Sequence, residues 1–508
     1  MTQKQIPTQL SAVQRFLLRL EDYGNRLPHP TMLFLYLCGL VLLISLITSW
    51  LGLSAVHPIT GESISAVNLL SGQGLRDILS KAVTNFTGFA PVGTVLVAVM
   101  GIGVAEQSGL IRVLLQKTIL KAPRQLMTLL VVFAGVMSSL AADTGYVVLV
   151  PLAGIVFAAA GKHPIAGIAA AFAGVSGGFS ANLLIGPLDA ILGGLSTEAA
   201  VLVQPGYEVS AAANYYFIIV STILISIVGT YVTERWVSPM LGEYDGEVEA
   251  VSAVSASESK ALKAVLIFTL LFSVALLICV LPEGGVLRDP ETGSVLRSPF
   301  ISGIVVIISI YAAVAGWVFG AVSGAFSSSK DAIEGMESAM VPMASYIVLM
   351  FFAAQFVSWF GWSQLGTITA IKGAGALQAL NPHPAILLVC FVLLAAFINL
   401  LIGSASAKWA LLAPIFVPML LLSGIAPEAT QVAYRIGDSS TNIITPLMPY
   451  FGVIVAFVQK YDKKAGIGTM LATMMPYSAM FLLSWSVLLA VWVLLGLPLG
   501  PGAQIFFG

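Results

Sequence analysis

Long apolar runs separated by short polar breaks fill nearly the whole chain, near 31–53, 83–108, 125–160, 165–192, 212–232, 263–281, 300–324, 341–366, 384–424, 429–458 and 468–497. A helix needs roughly 20 predominantly apolar residues to cross the hydrocarbon core of a bilayer, so these runs predict membrane helices. Two of them, 125–160 and 384–424, are too long for one crossing. Each carries small polar residues at its middle, SSLAADTGY (138–146) and GSASAKW (403–409). Both read as re-entrant hairpins, tolerated at membrane depth only where protein or a water-filled cavity surrounds the break. The expected fold is an all-α polytopic membrane protein with nine transmembrane helices plus two re-entrant hairpins.

Charge placement orients this layout. With the N-terminus in the cytoplasm, sixteen of the 23 Lys and Arg residues fall in cytoplasmic segments and five in external ones, leaving Lys408 and Arg435 inside the membrane. A cytoplasmic excess of Lys and Arg is the positive-inside signature. The C-terminus is then external. The expected organisation is a cytoplasmic segment 1–30, a first membrane half 31–241, an acidic cytoplasmic linker 242–262 and a second membrane half 263–508. No cleavable leader is evident, and the first apolar run reads as a retained span.

Composition agrees with a lipid environment. Hydrophobic residues make up 58% and charged residues 9% of the 508, where a soluble chain carries about 25% charged residues. The net charge of −1 gives no field that would attract nucleic acid. Cys38, Cys279 and Cys390 lie in apolar runs without metal-ligand spacing.

A shift of 263 residues aligns the two halves of the chain without a gap for about 35 positions. Pro151 falls on Pro414, Gly161 on Gly424, Pro164 on Pro427, Gly174 on Gly437 and Ser176 on Ser439. In the layout above the two copies enter the membrane from opposite sides. Inverted repeats with broken helices are the architecture of secondary transporters, whose substrate and ion sites lie near the midplane at the repeat interface. Each repeat offers a hairpin tip (138–146; 403–409) and an interrupted helix (174–187; 437–446), and these segments are expected to converge on one cavity.

Ionisable residues deep in a membrane segment are functional candidates by default. Arg435 and Asp438, three apart, share a helix face. They read either as a structural ion pair or as a site in which Asp438, Ser439 and Thr441 hold Na⁺ or a proton while Arg435 holds Asp438 or a substrate carboxylate. Hard oxygen ligands suit a small hard cation, and Asn399 can add an amide oxygen. Asp189, beyond Asn182 and Pro187, has no cation nearby in sequence and is expected to face a wet cavity. Asp143 and Ser139 sit at the first hairpin tip, where Asp143 either caps the return helix or serves as a ligand. Trp409 reads as a packing aromatic or as a stacking platform for an aromatic substrate, and Lys408 as a residue that snorkels outward.

The stretches GSASAKWALLAPIFVPM (403–419), YRIGDSSTNIITP (434–446), GPLDAILGGLSTEAA (186–200) and GNRLPHPTMLFLYL (24–37) resemble the p-aminobenzoyl-glutamate transporter (AbgT) family, essentially over the whole chain. The resemblance implies a homodimer of bowl-shaped protomers in the bacterial inner membrane, N-terminus cytoplasmic and C-terminus periplasmic. It implies import of p-aminobenzoyl-glutamate or export of sulfonamide antimetabolites, driven by a Na⁺ or proton gradient, with no organic cofactor. Carried onto matching positions, its functional residues are Asp189, Asn399, Ser406, Trp409, Pro427, Arg435, Asp438 and Pro446. The SSTN run after Asp438 is similar to the efflux-type members. An anionic aromatic substrate is expected with its ring against Trp409 and its carboxylate near Arg435 or the Ser439–Asn442 amides. Two other classes compete with a transporter. An intramembrane aspartyl protease would pair Asp143 with Asp438 but leaves the repeat unexplained. A passive channel would need a continuous polar stripe, whereas polarity here is confined to four segments. No P-loop for ATP-driven pumping is present.

Overall fold

The computed structural model describes residues 28, 30–56, 61–120, 123, 125–139, 145–244, 246, 254–295, 298–445, 447–448 and 450–507. Among them, seven helical stretches are long and apolar enough to cross a membrane: Pro30–Trp50, Gly72–Gln107, Tyr215–Leu241, Ala256–Val280, Ile304–Ser323, Met343–Trp362 and Ile467–Leu494. Ala256–Val280 begins inside the expected linker, because Ser255 and Glu258 form a capping box there. Its apolar side chains, Leu266, Ile267, Leu270 and Leu271 among them, are mostly exposed, as a lipid-facing helix requires.

The two overlong runs are each split into shorter helices. Met127–Ser138 is followed by Gly145–Ala159, and Pro384–Asn399 by Ala405–Leu421. At 1.5 Å per residue none of these reaches across a 30 Å core. The tip of the first pair, including Asp143, lies outside the described residues, as does Pro446.

The sequence repeat has a physical basis in the backbone. Gly161 and Gly424 both take positive φ, 77° and 82°, where a side chain would be strained. Pro164 and Pro427 each open the following helix at its first turn, where the missing N–H costs nothing. Gly174 and Gly437 mark the same close helix crossing. A Cβ on Gly174 would lie 2.3 Å from the Val132 carbonyl oxygen, and one on Gly437 2.4 Å from that of Val392. Each glycine thus presses its helix onto the first arm of its own helix pair.

The second copy is the more regular. In the first, helix Pro164–Phe172 widens into a π turn at Ala173–Gly177 and gives way to irregular backbone before the helix Pro187–Ala200. In the second, Pro427–Asn442 is one unbroken helix, and every one of its 16 residues is buried. The expected interruption at 437–446 therefore starts only after Asn442. The polar side chains from Arg435 to Asn442 find partners inside the protein, so the helix has no need to unwind at Gly437. This buried helix packs on Pro384–Asn399, Ala405–Leu421, Pro187–Ala200 and Ile467–Leu494.

Candidate functional site

Besides Glu428 in its first turn, helix Pro427–Asn442 carries Arg435 and Asp438, and these two do not pair with each other. The Arg435 guanidinium pairs with Asp189, and its Nη1 also donates to the Ser180 carbonyl. Asp438 Oδ1 accepts from the Lys408 ammonium at 2.5 Å. Each carboxylate is thus neutralised by a residue remote in the chain.

The Asp189–Arg435 pair joins the two repeats. Pro187 and Asp189 sit in the first turn of helix Pro187–Ala200, where Asp189 Oδ2 accepts the Gly186 N–H at 2.7 Å and fixes the carboxyl toward the break. The two side chains are only 8% and 3% exposed, so each is held by the other with little help from water. They border a narrow cleft lined by Ser139, Ser180, Asn182, Pro187, Asp189 and Arg435 among others. Asn182 Nδ2 donates to Ser139 Oγ across it at 2.9 Å. Arg435 Nε and Ser180 Oγ lie buried without a hydrogen-bond partner among the described residues. The end of helix Met127–Ser138, the irregular stretch after the π turn and the buried helix thus meet at one polar cleft. Asp189 faces that cleft, but through a salt bridge with Arg435 and not as the lone carboxylate that its sequence neighbours suggested.

The second cluster surrounds Asp438. Asn399 ends the first arm of its helix pair and donates from Nδ2 to the Asp438 carbonyl at 2.6 Å, to Thr441 Oγ1 at 2.8 Å and to Asn442 Oδ1 at 3.0 Å. Its Oδ1 accepts from Lys408. Lys408 does not snorkel: it is 1% exposed and reaches inward from the second tip to Asp438 and Asn399. Long stems snorkel only where water lies within reach, and the Ala405–Leu421 helix here is packed on both sides. Asp438 Oδ2 has no hydrogen-bond partner among the described residues. Ser439 Oγ accepts the Ser180 N–H at 3.0 Å, linking the two clusters.

Trp409 packs inside the protein. It is fully buried, stacks on Tyr434 with ring centroids 4.6 Å apart, and donates from Nε1 to the Leu192 carbonyl and to Ser196 Oγ. Ser196 in turn donates to Gln431. The ring face expected to meet a substrate is held by Tyr434, whose hydroxyl donates to the Ala405 carbonyl at 2.5 Å. Ser406 stands at the second tip, half-buried, 3.4 Å from Ser404 Oγ, and Pro427 opens the buried helix at its far end. Sequence reasoning missed Tyr434 and Ser180, and it singled out Lys408 but turned it outward. Tyr434 and Ser180 lay inside motifs already singled out. The missing signal was the fold that brings them onto Asp438 and Arg435.

Fold and site together define a polytopic helical membrane protein whose two repeats bury a polar, ion-paired centre next to a cleft. The model of the AbgT putative transporter family matches residues 15–507, and the chain belongs to that family. It is 38% identical over 485 residues to the p-aminobenzoyl-glutamate transport protein of Escherichia coli (strain K12), covering 95% of both chains. The YdaH transporter of Alcanivorax borkumensis is similar in structure, with TM-score 0.90 and 53% identity, across 93% of this chain and all of that one. MtrF of Neisseria gonorrhoeae, from a class of antimetabolite efflux pumps, gives TM-score 0.92 and 46% identity over 96% of this chain and all of its own. The chain is accordingly a multi-pass membrane transporter and not an enzyme.

Proposed function

We propose that this protein is a secondary transporter that exports p-aminobenzoate-type aromatic carboxylates and sulfonamide antimetabolites, driven by a Na⁺ or proton gradient. The observation that carries this reading is the Asp189–Arg435 pair on the cleft. A guanidinium offers a planar fork of donors matched to a carboxylate, and Asp189 fills that fork from within the protein. A substrate carboxylate takes the place of Asp189 on Arg435, and proton exchange at Asp189 drives release of the anion.

Asp438, Asn399, Ser439 and Thr441 form the cation half of the reading. Their oxygens suit Na⁺, and Asp438 Oδ2, without a hydrogen-bond partner among the described residues, is available to a further ligand. Ser139, Asn182, Ser406 and Asn442 contribute polar contacts around the substrate, and Asp143 adds a carboxylate at the first tip. Trp409 shapes the site through Tyr434. The protomers form a homodimer in the bacterial inner membrane, with lipid around them. Each has nine crossings and two re-entrant hairpins, the N-terminus cytoplasmic and the C-terminus periplasmic. Similarity to the E. coli p-aminobenzoyl-glutamate transport protein favours a second reading, gradient-driven import of p-aminobenzoyl-glutamate.

Proteoliposomes with imposed Na⁺ or pH gradients of each sign, loaded with a labelled sulfonamide or p-aminobenzoyl-glutamate, test the reading. Flux driven outward, and abolished by Asp189→Asn, is the expected result. Flux unchanged by Asp189→Asn removes the proposed exchange, and gradient-driven accumulation of p-aminobenzoyl-glutamate selects import.

A further inference from the structure

The position on Asp438 that a coupling cation would take is already held by the protein's own ammonium group. Lys408 Nζ meets Asp438 Oδ1 at 2.5 Å and also contacts Asn399 Oδ1, the two oxygens best placed to ligate a small cation. Asn399 cannot easily turn away, because its Nδ2 is tied to the Asp438 carbonyl, Thr441 and Asn442. The Tyr434 hydroxyl, 3.4 Å from Asp438 Oδ1, closes another side.

The internal repeat shows that this pair was built as a unit. Under the 263-residue shift Lys408 corresponds to Gly145 and Asp438 to Val175. The same positions meet in the first repeat, where a Cβ on Gly145 would lie 2.9 Å from Val175 Cγ1. One fold position therefore appears twice, once with no charge and once with both charges. A buried ammonium without its carboxylate, or the reverse, is strongly destabilising, which is why neither charge stands there alone.

We infer that Lys408 is a tethered cation that occupies the cation position of the second repeat, so that free Na⁺ binds Asp438 and Asn399 only when the tip at 403–409 carries Lys408 away. Lys408 thus sets which cation the site accepts and when. The inference rests on the reading of Asp438 and Asn399 as a cation site. It has a mechanical consequence: Na⁺ and Lys408 exclude one another, so ion occupancy reports on the position of the tip. A site that is never left open cannot leak cations in the absence of a tip movement.

The test uses the full chain purified in detergent, with NaCl against choline chloride and KCl at constant ionic strength, and thermal unfolding as the readout. A ligand that binds only the folded state raises the midpoint as its concentration passes its dissociation constant. Lys408→Met removes the tethered cation with little change of volume. Its half-maximal Na⁺ concentration is expected to fall at least tenfold below that of the native protein, while the Lys408→Met/Asp438→Asn double variant shows no Na⁺-specific rise. Equal Na⁺ response in Lys408→Met and the native chain overturns the inference, as does a response retained in the double variant. Should Lys408→Met fail to fold without Na⁺, recovery of folded yield by Na⁺ but not K⁺ supports the competition, and recovery by neither overturns it. This readout needs no substrate and no gradient, so absence of flux in proteoliposomes would defeat the transport reading and leave this result standing.

Discussion

Arg435→Met isolates the energetics of the pair that joins the two repeats. The substitution leaves the Asp189 carboxylate buried, with the Gly186 N–H as its remaining donor, and removes the Nη1 bond to the Ser180 carbonyl. Breaking a buried ion pair by deleting one partner costs about 3–5 kcal/mol, whereas replacing both partners with neutral groups is often close to neutral. With an unfolding entropy of about 2.1 cal/mol/K per residue, a chain of this length loses about 3–5 °C of midpoint for that cost. Arg435→Met should show that loss in thermal unfolding followed by tryptophan fluorescence at fixed detergent concentration. Asp189→Asn/Arg435→Met should recover most of it, because the introduced amide still offers an oxygen to Gly186 without a charge to neutralise. Gradient-driven flux should be absent from both variants, separating stability from transport. A double variant as unstable as the sum of its singles would mean that the two residues do not interact as described.

Three further outcomes follow from particular contacts. Gly437→Ala and Gly174→Ala each push a Cβ to within 2.4 Å and 2.3 Å of a backbone carbonyl, so both should lower stability by about 1–3 kcal/mol in denaturant titrations, as overpacked sites do; a neutral effect of either would dissolve the parallel between the repeats. Trp409→Phe keeps the ring against Tyr434 but deletes the donor to Leu192 and Ser196. A loss of about 1 kcal/mol is expected, and a loss near zero would show that the indole N–H does not anchor the tip. At helix Ser329–Met340 the Ser328 and Ser327 N–H groups hold the Asp331 carboxyl below its usual range. A depressed folded-state value means that the cap's stabilisation is full above the ordinary aspartate pKa and lost as pH falls through the folded one; hydrogen exchange at residues 327–331 should show it, and protection already lost at ordinary carboxylate pH would contradict it.

What the sequence disclosed was what periodicity and spacing can carry. The apolar runs anticipated the helices, and the 263-residue shift anticipated the glycines and prolines that the backbone requires at Gly161, Pro164, Gly174 and their partners. Pairing across distance was not legible. Arg435 and Asp438 looked like partners because three residues on a helix are neighbours, yet Arg435 reaches Asp189, 246 residues away, and Asp438 reaches Lys408. Two attractive contacts with other elements outweighed one local contact because each neutralises a charge where no water is available. Gly437 misled for a related reason: inside a run of polar residues it suggested a broken helix, whereas its missing side chain serves the approach of Val392. Short amphipathic pieces such as Ser329–Met340 escaped because no apolar run marks them.

The two ion pairs also constrain what can be carried. On the proposed reading each ligand replaces an internal group of its own sign, a substrate carboxylate for that of Asp189 on Arg435, and a cation for the ammonium of Lys408 on Asp438. Arg435 and Asp438 then each keep a partner of opposite charge before and after loading, which avoids the several kcal/mol that leaving either unpaired would cost at membrane depth. A neutral analogue cannot make that exchange. The amide of p-aminobenzoate has nearly the shape of the acid, yet it would have to leave Asp189 in place, or displace it and strand the guanidinium unpaired. The second course costs about 3–5 kcal/mol, a factor of at least about 100 in affinity. Competition of p-aminobenzamide against labelled p-aminobenzoate binding to the purified protein measures this ratio directly. Equal competition by the amide and the acid would show that Arg435 is not the group that selects the substrate, and the exchange of carboxylates would have to be abandoned.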